Sequence, residues 1–422
     1  MTEQPAPARS IPALEERVRR WEEFGGTWRV LETGSGAATI EFRRCDGGEQ
    51  VETLILDDPG EAEWARERLG IVGAAASTSS ERHADGETDE TALSAVAVTA
   101  WAAELGLSAP VVCAPMGGVA GGRLASAVSR AGGLGMIGMG SSGSTDALAR
   151  ELAAFDRANA DSGAEPSPVF GIGMVAWVLE RDPAMLAVAL DARPAVVSVS
   201  FGEWRPGVVP GWIADARSAG ARAVCQVATA DEAMRAADAG VDAVIARGLE
   251  GGGHGDHSQP RNTLLAEVLD AAGGARPRGI PVLSAGAVAT RDDLARALAA
   301  GAAAGWVGTA FSACEEALTS PRARAELIAA DGSRTEVSRL VDIALGQPWP
   351  ERFPERLLRT SFLDRWRGRE EELARDAGAR AEFRAAVAAE DFSVVPLDAG
   401  LGVGELTEVR SAADVLAELV GR

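Results

Sequence analysis

The chain has 422 residues and a formal net charge of −21, because 62 acidic residues outnumber 41 basic ones. This charge argues against a nucleic-acid partner, since a phosphate backbone would be repelled, and no apolar run reaches the roughly 18 residues that a membrane-spanning helix needs. Every basic residue is arginine and tyrosine is absent, so lysine Schiff bases and tyrosine proton donors are excluded. A general base near neutral pH must therefore be a histidine, a perturbed carboxylate or a cysteine.

The N-terminus and the cysteines predict a cytoplasmic protein. The N-terminal stretch MTEQPAPARSIPALEERVRR lacks the basic-then-apolar layout of a secretory signal. The cysteines lie far apart and show no CxxC spacing, so we expect reduced, mostly buried thiols at Cys45, Cys113, Cys225 and Cys314.

Residues 1–70 predict a small α+β domain that carries no catalytic constellation. A helical apolar spacing follows Ser10, which suits a helix N-cap. The segments TWRVLE, AATIEFRR and EQVETLIL then alternate apolar and polar residues, as half-buried strands do. Residues 71–92 are small, polar and acidic, so they predict a flexible linker in which His83 is solvated.

Residues 93–315 predict an α/β barrel, because short apolar strands alternate with alanine- and arginine-rich helices. The strands are apolar throughout, which is typical of a parallel sheet covered by helices. Eight βα units favour a (β/α)8 TIM barrel, with an open doubly wound sheet as the structural alternative. The eight predicted strands are VVCAPM (111–116), GLGMIG (133–138), VFGIGM (169–174), AVVSVSF (195–201), RAVCQV (222–227), DAVIAR (242–247), IPVLSAG (280–286) and AGWVGTAF (304–311).

The remaining segment, residues 316–422, is mostly helical and charged, with a Pro- and Trp-rich stretch GQPWPERFPERLL. We expect it to pack against the barrel as a helical extension rather than to form a separate domain.

Glycine-rich loops follow the first, sixth, seventh and eighth predicted strands. In barrels of this class the loops at the carboxyl ends of the strands form the active face. The loops after the last two strands commonly hold a phosphate through backbone N–H groups that no side chain obstructs. Without lysine, a phosphate there must rely on backbone amides, hydroxyl groups and arginine.

The sixth loop, RGLEGGGHGDH, runs from Arg247 to His257 and carries two of the three histidines in the chain. Its glycines let the backbone approach a flat ligand closely, and His254 is the first candidate for a general base. The alternatives are a surface loop with solvated histidines, a metal site at His254, Asp256 and His257, and a cysteine nucleophile. No further metal ligand is obvious and no cysteine lies in this loop, so we predict neither a metal site nor cysteine catalysis.

Three long segments resemble the nitronate monooxygenase family, formerly called 2-nitropropane dioxygenases. They are APMGGVAGGRLASAVSRAGGLGMIG, TADEAMRAADAGVDAVIARGLEGGGHGDH and IPVLSAGAVATRDDLARALAAGAAAGWVGTAF. The resemblance covers about residues 107–422, including the tail pattern GLGVGELTEVRSAADVLAEL, and leaves the first 90 residues outside it. The APMGG, EGGGH and VGT blocks occur in the family's order at the expected strand ends.

This resemblance implies an FMN-dependent TIM barrel whose catalytic base is His254. It implies main-chain contacts to flavin at Pro115 and Met116, and another flavin contact at Gly252. It further implies a phosphate held by the backbone of the seventh and eighth loops, at Gly286, Ala287, Gly308 and Thr309.

Three positions depart from the family pattern. Gly173 replaces an asparagine after the third strand, so a side-chain hydrogen bond to the flavin region is missing. Arg247 replaces a glutamine and places a cation near the flavin or the substrate, unless it forms a salt bridge to Glu250 or another carboxylate. Gly251 replaces the alanine of the histidine motif.

The leading hypothesis is oxidation of an alkyl nitronate, or of its parent nitroalkane, by FMN and molecular oxygen to a carbonyl compound and nitrite. FMN would carry the electron chemistry, and the protein would supply the base, orientation and electrostatics. The expected partners are this small substrate and oxygen, with a homodimer as the candidate oligomer. The alternatives are an NAD(P)H-dependent FMN reductase of the enoyl-thioester or quinone type, and a non-catalytic barrel scaffold.

Overall fold

The structure is a computed structural model that describes residues 96–163, 167–205, 207–274 and 279–422, together with residues 14, 17, 18, 27–32, 38–43, 50–56 and 64. The chain divides into two compact units, Met1–Thr91 and Ala92–Arg422. The predicted linker, residues 71–92, lies outside the described residues, as does most of the helix predicted after Ser10.

The N-terminal unit contains the three predicted strands as one antiparallel sheet in the order β1-β2-β3. These are β1 (Thr27–Glu32), β2 (Ala38–Arg43) and β3 (Gln50–Leu56). In β3, Leu54 and Leu56 are buried while Ile55 between them is 60% exposed. The alternation is that of a sheet with one buried face.

Eight parallel strands of the second unit form the barrel. They are β4 (Val111–Cys113), β5 (Gly135–Met139), β6 (Phe170–Val175), β7 (Val196–Ser200), β8 (Arg222–Val227), β9 (Ala243–Arg247), β11 (Val282–Ala285) and β12 (Ala304–Val307). They lie in the order β4-β12-β11-β9-β8-β7-β6-β5. A parallel bridge between Val112 and Leu134 joins the two ends, with Cys113 N donating to Leu134 O at 2.9 Å. The predicted TIM barrel is confirmed, and the open sheet is excluded by this closure.

The helices of this unit lie in the connections between strands and in the C-terminal region. They are α1 (Ala100–Glu104), α2 (Gly122–Arg130), α3 (Thr145–Ser162), α4 (Ala176–Arg181), α5 (Ala184–Asp191), α6 (Gly211–Ser218), α7 (Ala230–Ala239), α8 (Arg261–Gly274), α9 (Arg291–Ala299), α10 (Thr309–Ser312), α11 (Pro321–Ile328), α12 (Leu340–Leu345), α13 (Ser361–Trp366), α14 (Glu370–Arg375), α15 (Ala377–Ala388) and α16 (Ala412–Val420). Short 3-10 turns cover Gly332–Arg334 and Leu401–Glu405. Among the described residues, no helix combines the length and apolar character required to cross a membrane.

The barrel interior is packed at the end where the strands begin. Val112, Met136, Ile245 and Leu283 point inward and form one buried cluster with Trp101 of α1, the helix that precedes β4. Filling that end by side chains is the rule for barrels of this size. Open space for a ligand therefore remains at the opposite end.

The C-terminal region contains a small antiparallel sheet that the sequence did not predict. β10 (Gly253–His254) of the sixth loop pairs with β14 (Glu355–Leu358), which also pairs with β13 (Thr335–Ser338). The strands TEVS and ERLL are short and partly charged, so the apolar alternation that identifies a strand is missing. They form strands because β13 and β14 pair with each other and β14 also pairs with β10 of the sixth loop. The pairing of β10 with β14 fixes the backbone position of His254.

Candidate active site

A cavity of about 570 Å³ opens at the carboxyl ends of the barrel strands. Its volume is in the range of small-ligand and cofactor sites. Every residue that the sequence proposed for catalysis or cofactor binding lines it, apart from Gly173. Those lining it are Pro115, Met116, Arg247, Gly252, His254, Gly286, Ala287, Gly308 and Thr309.

Gly173, predicted to lie beside the flavin, does not line the cavity. It is buried in β6, and a Cβ added there would come 2.2 Å from Cγ and 2.3 Å from Cβ of Pro115. No asparagine fits against that ring. The glycine therefore supports the cavity wall from behind, through Pro115, and its place beside the flavin stays a prediction.

The end of the cavity beside β11 and β12 is built from main chain. The amides of Gly286, Ala287, Gly308 and Thr309 donate to no acceptor among the described residues. Gly308 also caps the start of α10 without a side-chain hydrogen bond. Backbone N–H groups of this kind, at a helix start and a glycine turn, attract anions.

Arg261 holds the turn after β11 in place. Its Nη1 donates to Gly286 O at 3.0 Å and to Ala287 O at 2.9 Å. The turn has φ values of +109° at Gly286 and +47° at Ala287, and the second is a conformation that residues with a Cβ rarely adopt. Because the guanidinium binds both carbonyls, the amides of the turn are left for a ligand. The sequence analysis missed this arginine, which is buried at the start of α8.

The opposite wall carries His254, whose distal nitrogen faces a carboxylate. Nε2 lies 3.1 Å from both Oδ1 and Oδ2 of Asp342. The imidazole ring stacks on Trp349, with centroids 3.6 Å apart and planes 10° from parallel. A carboxylate only accepts hydrogen bonds, so Nε2 carries a proton and the lone pair of the neutral ring is on Nδ1. Nδ1 has no hydrogen-bond partner in the described part of the chain.

Two more carboxylates stand behind this pair. Glu355 Oε2 lies 3.8 Å from His254 Nε2, and Glu355 and Asp398 both line the cavity. Burial raises the pKa of Glu355 well above its usual value, and the charges of Asp398 and Asp342 add to the effect. Burial likewise raises the pKa of Asp398. This wall is therefore crowded with acidic groups that compete for protons or cations.

Arg247 lines the cavity, holds the sixth loop and makes no salt bridge to Glu250, while its buried Nη1 has no hydrogen-bond partner among the described residues. Its Nη2 donates to the carbonyls of Gly251, Gly252 and Gly253 at 2.9, 2.9 and 3.0 Å. Burial lowers its pKa to about 10, which leaves it protonated at neutral pH. Glu250 instead accepts the backbone N–H of Arg261 at 2.9 Å.

His257 is a structural residue of the same loop. Its Nδ1 lies 3.0 Å from Leu249 O and its Nε2 3.3 Å from Gly253 O. Burial, followed by the charge of Arg247, lowers the pKa of His257 to about 4. Asp256 lies 3.8 Å from Arg352, so the metal alternative at His254, Asp256 and His257 is not assembled.

The described cysteines do not supply a nucleophile. Cys113, Cys225 and Cys314 are free and buried. Burial raises the pKa of all three thiols, that of Cys314 to about 12, so none is a thiolate at neutral pH. Cys45 lies outside the described residues.

The sequence analysis missed four residues around His254 that come from the region after the barrel. They are Asp342, Trp349, Glu355 and Asp398. The Pro- and Trp-rich stretch gave a signal for Trp349. The three acidic residues gave none, because isolated carboxylates in a charged helical segment are typical of a solvated surface.

The sequence that forms this cavity is similar to proteins of known family. A protein-family model described as nitronate monooxygenase matches residues 100–161 and 175–421. The chain belongs to the nitronate monooxygenase family. The nitronate monooxygenase of Paraburkholderia phytofirmans is 31% identical over 285 residues, which cover 59% of this chain and 75% of that protein.

Solved structures of similar barrels also support this family assignment. A nitroalkane oxidase from Streptomyces ansochromogenes matches with a TM-score of 0.60 and 29% identity, covering 76% of this chain and 96% of that one. FabK from Thermotoga maritima matches with a TM-score of 0.63 and 26% identity, covering 76% and 94%. This nitronate monooxygenase family member is thus an oxidoreductase of the flavin-dependent type, and the predicted family resemblance is confirmed.

Proposed function

We propose that the chain binds FMN in this cavity and oxidises nitroalkanes or alkyl nitronates with molecular oxygen, giving a carbonyl compound and nitrite. The observation that carries the proposal is the division of the cavity into a main-chain anion site and a wall that bears one histidine. FMN, when bound, supplies the electron-transfer chemistry toward the substrate and oxygen. Family membership and the nitroalkane oxidase neighbour support the reaction class.

The residues present fit FMN at the β11–β12 end of the cavity. Gly286, Ala287, Gly308 and Thr309 offer backbone amides without protein acceptors, as a phosphate needs. Pro115 and Met116 line the cavity after β4 and would contact the flavin through main chain. Gly252 keeps the sixth loop close, since a Cβ there would lie 2.5 Å from Gly400 N.

His254 would act as the general base on a neutral nitroalkane. Its Nδ1 takes the carbon-bound proton while Nε2–H stays hydrogen-bonded to Asp342. The imidazolium that results lies against a buried carboxylate, which stabilises it and fixes the orientation of the ring. Trp349 restricts the ring further by stacking.

A second candidate is the NAD(P)H-dependent FMN reductase that the sequence analysis kept as an alternative. Anaerobic mixing with NADPH separates the two, because rapid bleaching of the flavin absorption indicates a reductase. A chain that takes up no FMN on titration would instead support a non-catalytic scaffold. The cytoplasmic location and the homodimer stay predictions.

The test of the base uses purified, FMN-loaded protein and nitrite as the readout. We expect His254→Gln to lower kcat/KM for the neutral nitroalkane by about 100- to 10,000-fold, the usual contribution of a general base. Turnover of the preformed nitronate, which needs no deprotonation, should fall far less. Equal losses on both substrates would contradict the base assignment. Asp256→Asn, a change two residues away on the outer side of the loop, is the control.

A further inference from the structure

The distal nitrogen of His254 and two carboxylates converge at one point of the cavity wall. His254 Nε2 lies 3.1 Å from Asp342 Oδ2 and 3.8 Å from Glu355 Oε2. One ligand atom from each of the three residues lies within 4.8 Å of the others. We propose that His254, Asp342 and Glu355 form a binding site for a divalent transition-metal ion such as Zn²⁺, which no feature of the sequence predicted.

The spacing suits a tetrahedral ion. Bonds of about 2.1 Å to nitrogen and oxygen place neighbouring ligand atoms of a tetrahedral site about 3.4 Å apart. The two measured separations from Nε2, 3.1 and 3.8 Å, lie on either side of that value. One imidazole and two carboxylates leave a fourth position of a tetrahedral ion open, and all three residues line the cavity. Three protein ligands with an open position are typical of zinc sites that exchange ligands.

The three side chains are held on regular structure. His254 and Glu355 are direct partners in the antiparallel pairing of β10 with β14. Asp342 lies in α12, and the stacked Trp349 fixes the plane of the imidazole. Little rearrangement would be needed to bind an ion, and such preorganisation strengthens binding.

Among the described residues, neither Asp342 nor Glu355 forms an ion pair with an arginine. The side chain of Glu355 is 6% exposed, and its Oε1 has no hydrogen-bond partner among the described residues. Of the guanidinium groups nearby, that of Arg356 donates to Leu249 O and Thr335 Oγ1. Arg247 donates through Nη2 to the loop carbonyls, and its charge acts on Asp398 rather than on Glu355. A divalent cation would bind Asp342 and the deprotonated form of Glu355, with release of any proton that Glu355 carries, and would satisfy the unpartnered oxygen.

Metal binding would switch off the base, and this consequence rests on the proposed function. An ion bound through the lone pair of Nε2 forces the proton of neutral imidazole onto Nδ1. Nδ1 then has no lone pair with which to remove a proton from substrate. Zinc should therefore inhibit turnover of neutral nitroalkane and affect preformed nitronate much less.

The test is equilibrium dialysis of ZnCl₂ against the EDTA-treated, FMN-loaded full chain. We expect Glu355→Gln and Asp342→Asn to raise the dissociation constant at this site at least about 10-fold. Asp256→Asn is the matched control and should bind as the wild type does. MgCl₂ should not compete, because magnesium prefers oxygen ligands. Zinc bound elsewhere contributes equally to all four isotherms and drops out of the comparison.

Identical isotherms for the wild type, Glu355→Gln and Asp342→Asn would overturn the site. The near-isosteric Glu355→Gln carries the test if Asp342→Asn does not fold, with bound FMN content and circular dichroism as the check on folding. Binding is measured without turnover, so the two proposals fail separately. A protein that forms nitrite but binds no zinc here loses only the metal site, whereas zinc binding without nitrite formation contradicts only the proposed function.

Discussion

The two ends of the cavity are built in opposite ways. The end beside β11 and β12 offers backbone amides from glycine-rich turns, with Arg261 bound to the carbonyls behind them. The His254 end offers side chains, and its three carboxylates come from the region after the barrel. The first end depends on backbone shape and the second on the identity of a few ionisable groups.

This difference predicts how each end responds to substitution. A main-chain site tolerates a small side chain if the turn keeps its shape, and it fails when a charge is introduced. A side-chain site fails at a single isosteric change, because buried ionisable groups act as a unit. The predictions below use matched pairs of variants to separate the two behaviours.

Asp342→Asn should have the largest effect at the side-chain end. An amide can donate to Nε2 and so favour the other tautomer of His254, with the proton on Nδ1. We expect kcat/KM for a neutral nitroalkane to fall on the order of 1,000-fold, as when such an orienting carboxylate is neutralised. Asp256→Asn should stay within about 3-fold of the wild type. A drop of less than 10-fold in Asp342→Asn would mean that Asp342 does not select the tautomer.

Gly308 provides the corresponding test at the main-chain end. A Cβ at this position would meet Met116 Sδ at 3.4 Å and Ala114 Cβ at 3.7 Å, which are ordinary contacts. Gly308→Ala should therefore change the FMN dissociation constant by less than about 3-fold. Gly308→Asp places a carboxylate beside the expected phosphate and should raise it on the order of 100-fold, or about 3 kcal/mol. Fluorescence titration of the apoprotein with FMN measures both. Equal effects of the two variants would place the phosphate elsewhere.

The contrast between the main-chain end and the side-chain end also explains which parts of the fold and of the candidate site could be predicted from the sequence. The barrel strands follow from continuous apolar runs, and the main-chain end of the cavity follows from glycines at the ends of those strands, since both signals are local. Asp342 and Glu355 reach the cavity only because β14 pairs with β10 and α12 lies beside it. Those contacts span about 90 to 100 residues, and no local pattern encodes them. The contact of Gly173 with Pro115 is likewise long-range, so the sequence around Gly173 does not encode it.

His257 allows the pH dependence of the stability of the sixth loop to be measured apart from His254, the proposed base. Its pKa is about 4 in the folded protein, below the ordinary value of 6.5. As the pH falls from about 6.5 to 4, His257 becomes protonated in the unfolded chain but stays neutral in the folded loop. The free energy of unfolding therefore decreases over this pH range, and His257 causes no further decrease below about pH 4. The wild type should lose up to about 3 kcal/mol more than His257→Gln over this range.

Urea unfolding of both proteins at about pH 7.5 and about pH 4 gives this difference, because the other titrating groups cancel between them. Parallel losses in the two proteins would mean that His257 is protonated in the folded loop. The carbonyls of Leu249 and Gly253 would then both accept from an imidazolium.

Ser284→Ala should have the smallest effect, a change in the free energy of unfolding. It tests whether a buried polar atom without a partner destabilises the fold. Ser284 Oγ, like Glu355 Oε1, is buried and has no partner among the described residues. Ser284 is fully buried in β11 and does not line the cavity, so no ligand can reach its hydroxyl. Removing an unsatisfied hydroxyl is neutral or stabilising by up to about 1 kcal/mol.

Urea unfolding measures the effect, and zinc binding should be unchanged in Ser284→Ala. A destabilisation above about 1 kcal/mol would show that the hydroxyl is hydrogen-bonded, for example to a buried water. The expected outcome would separate two kinds of unpartnered atom. One is a tolerated defect in the packed barrel, and the other, Glu355 Oε1, belongs to a residue that lines the cavity, where the proposed ion would bind.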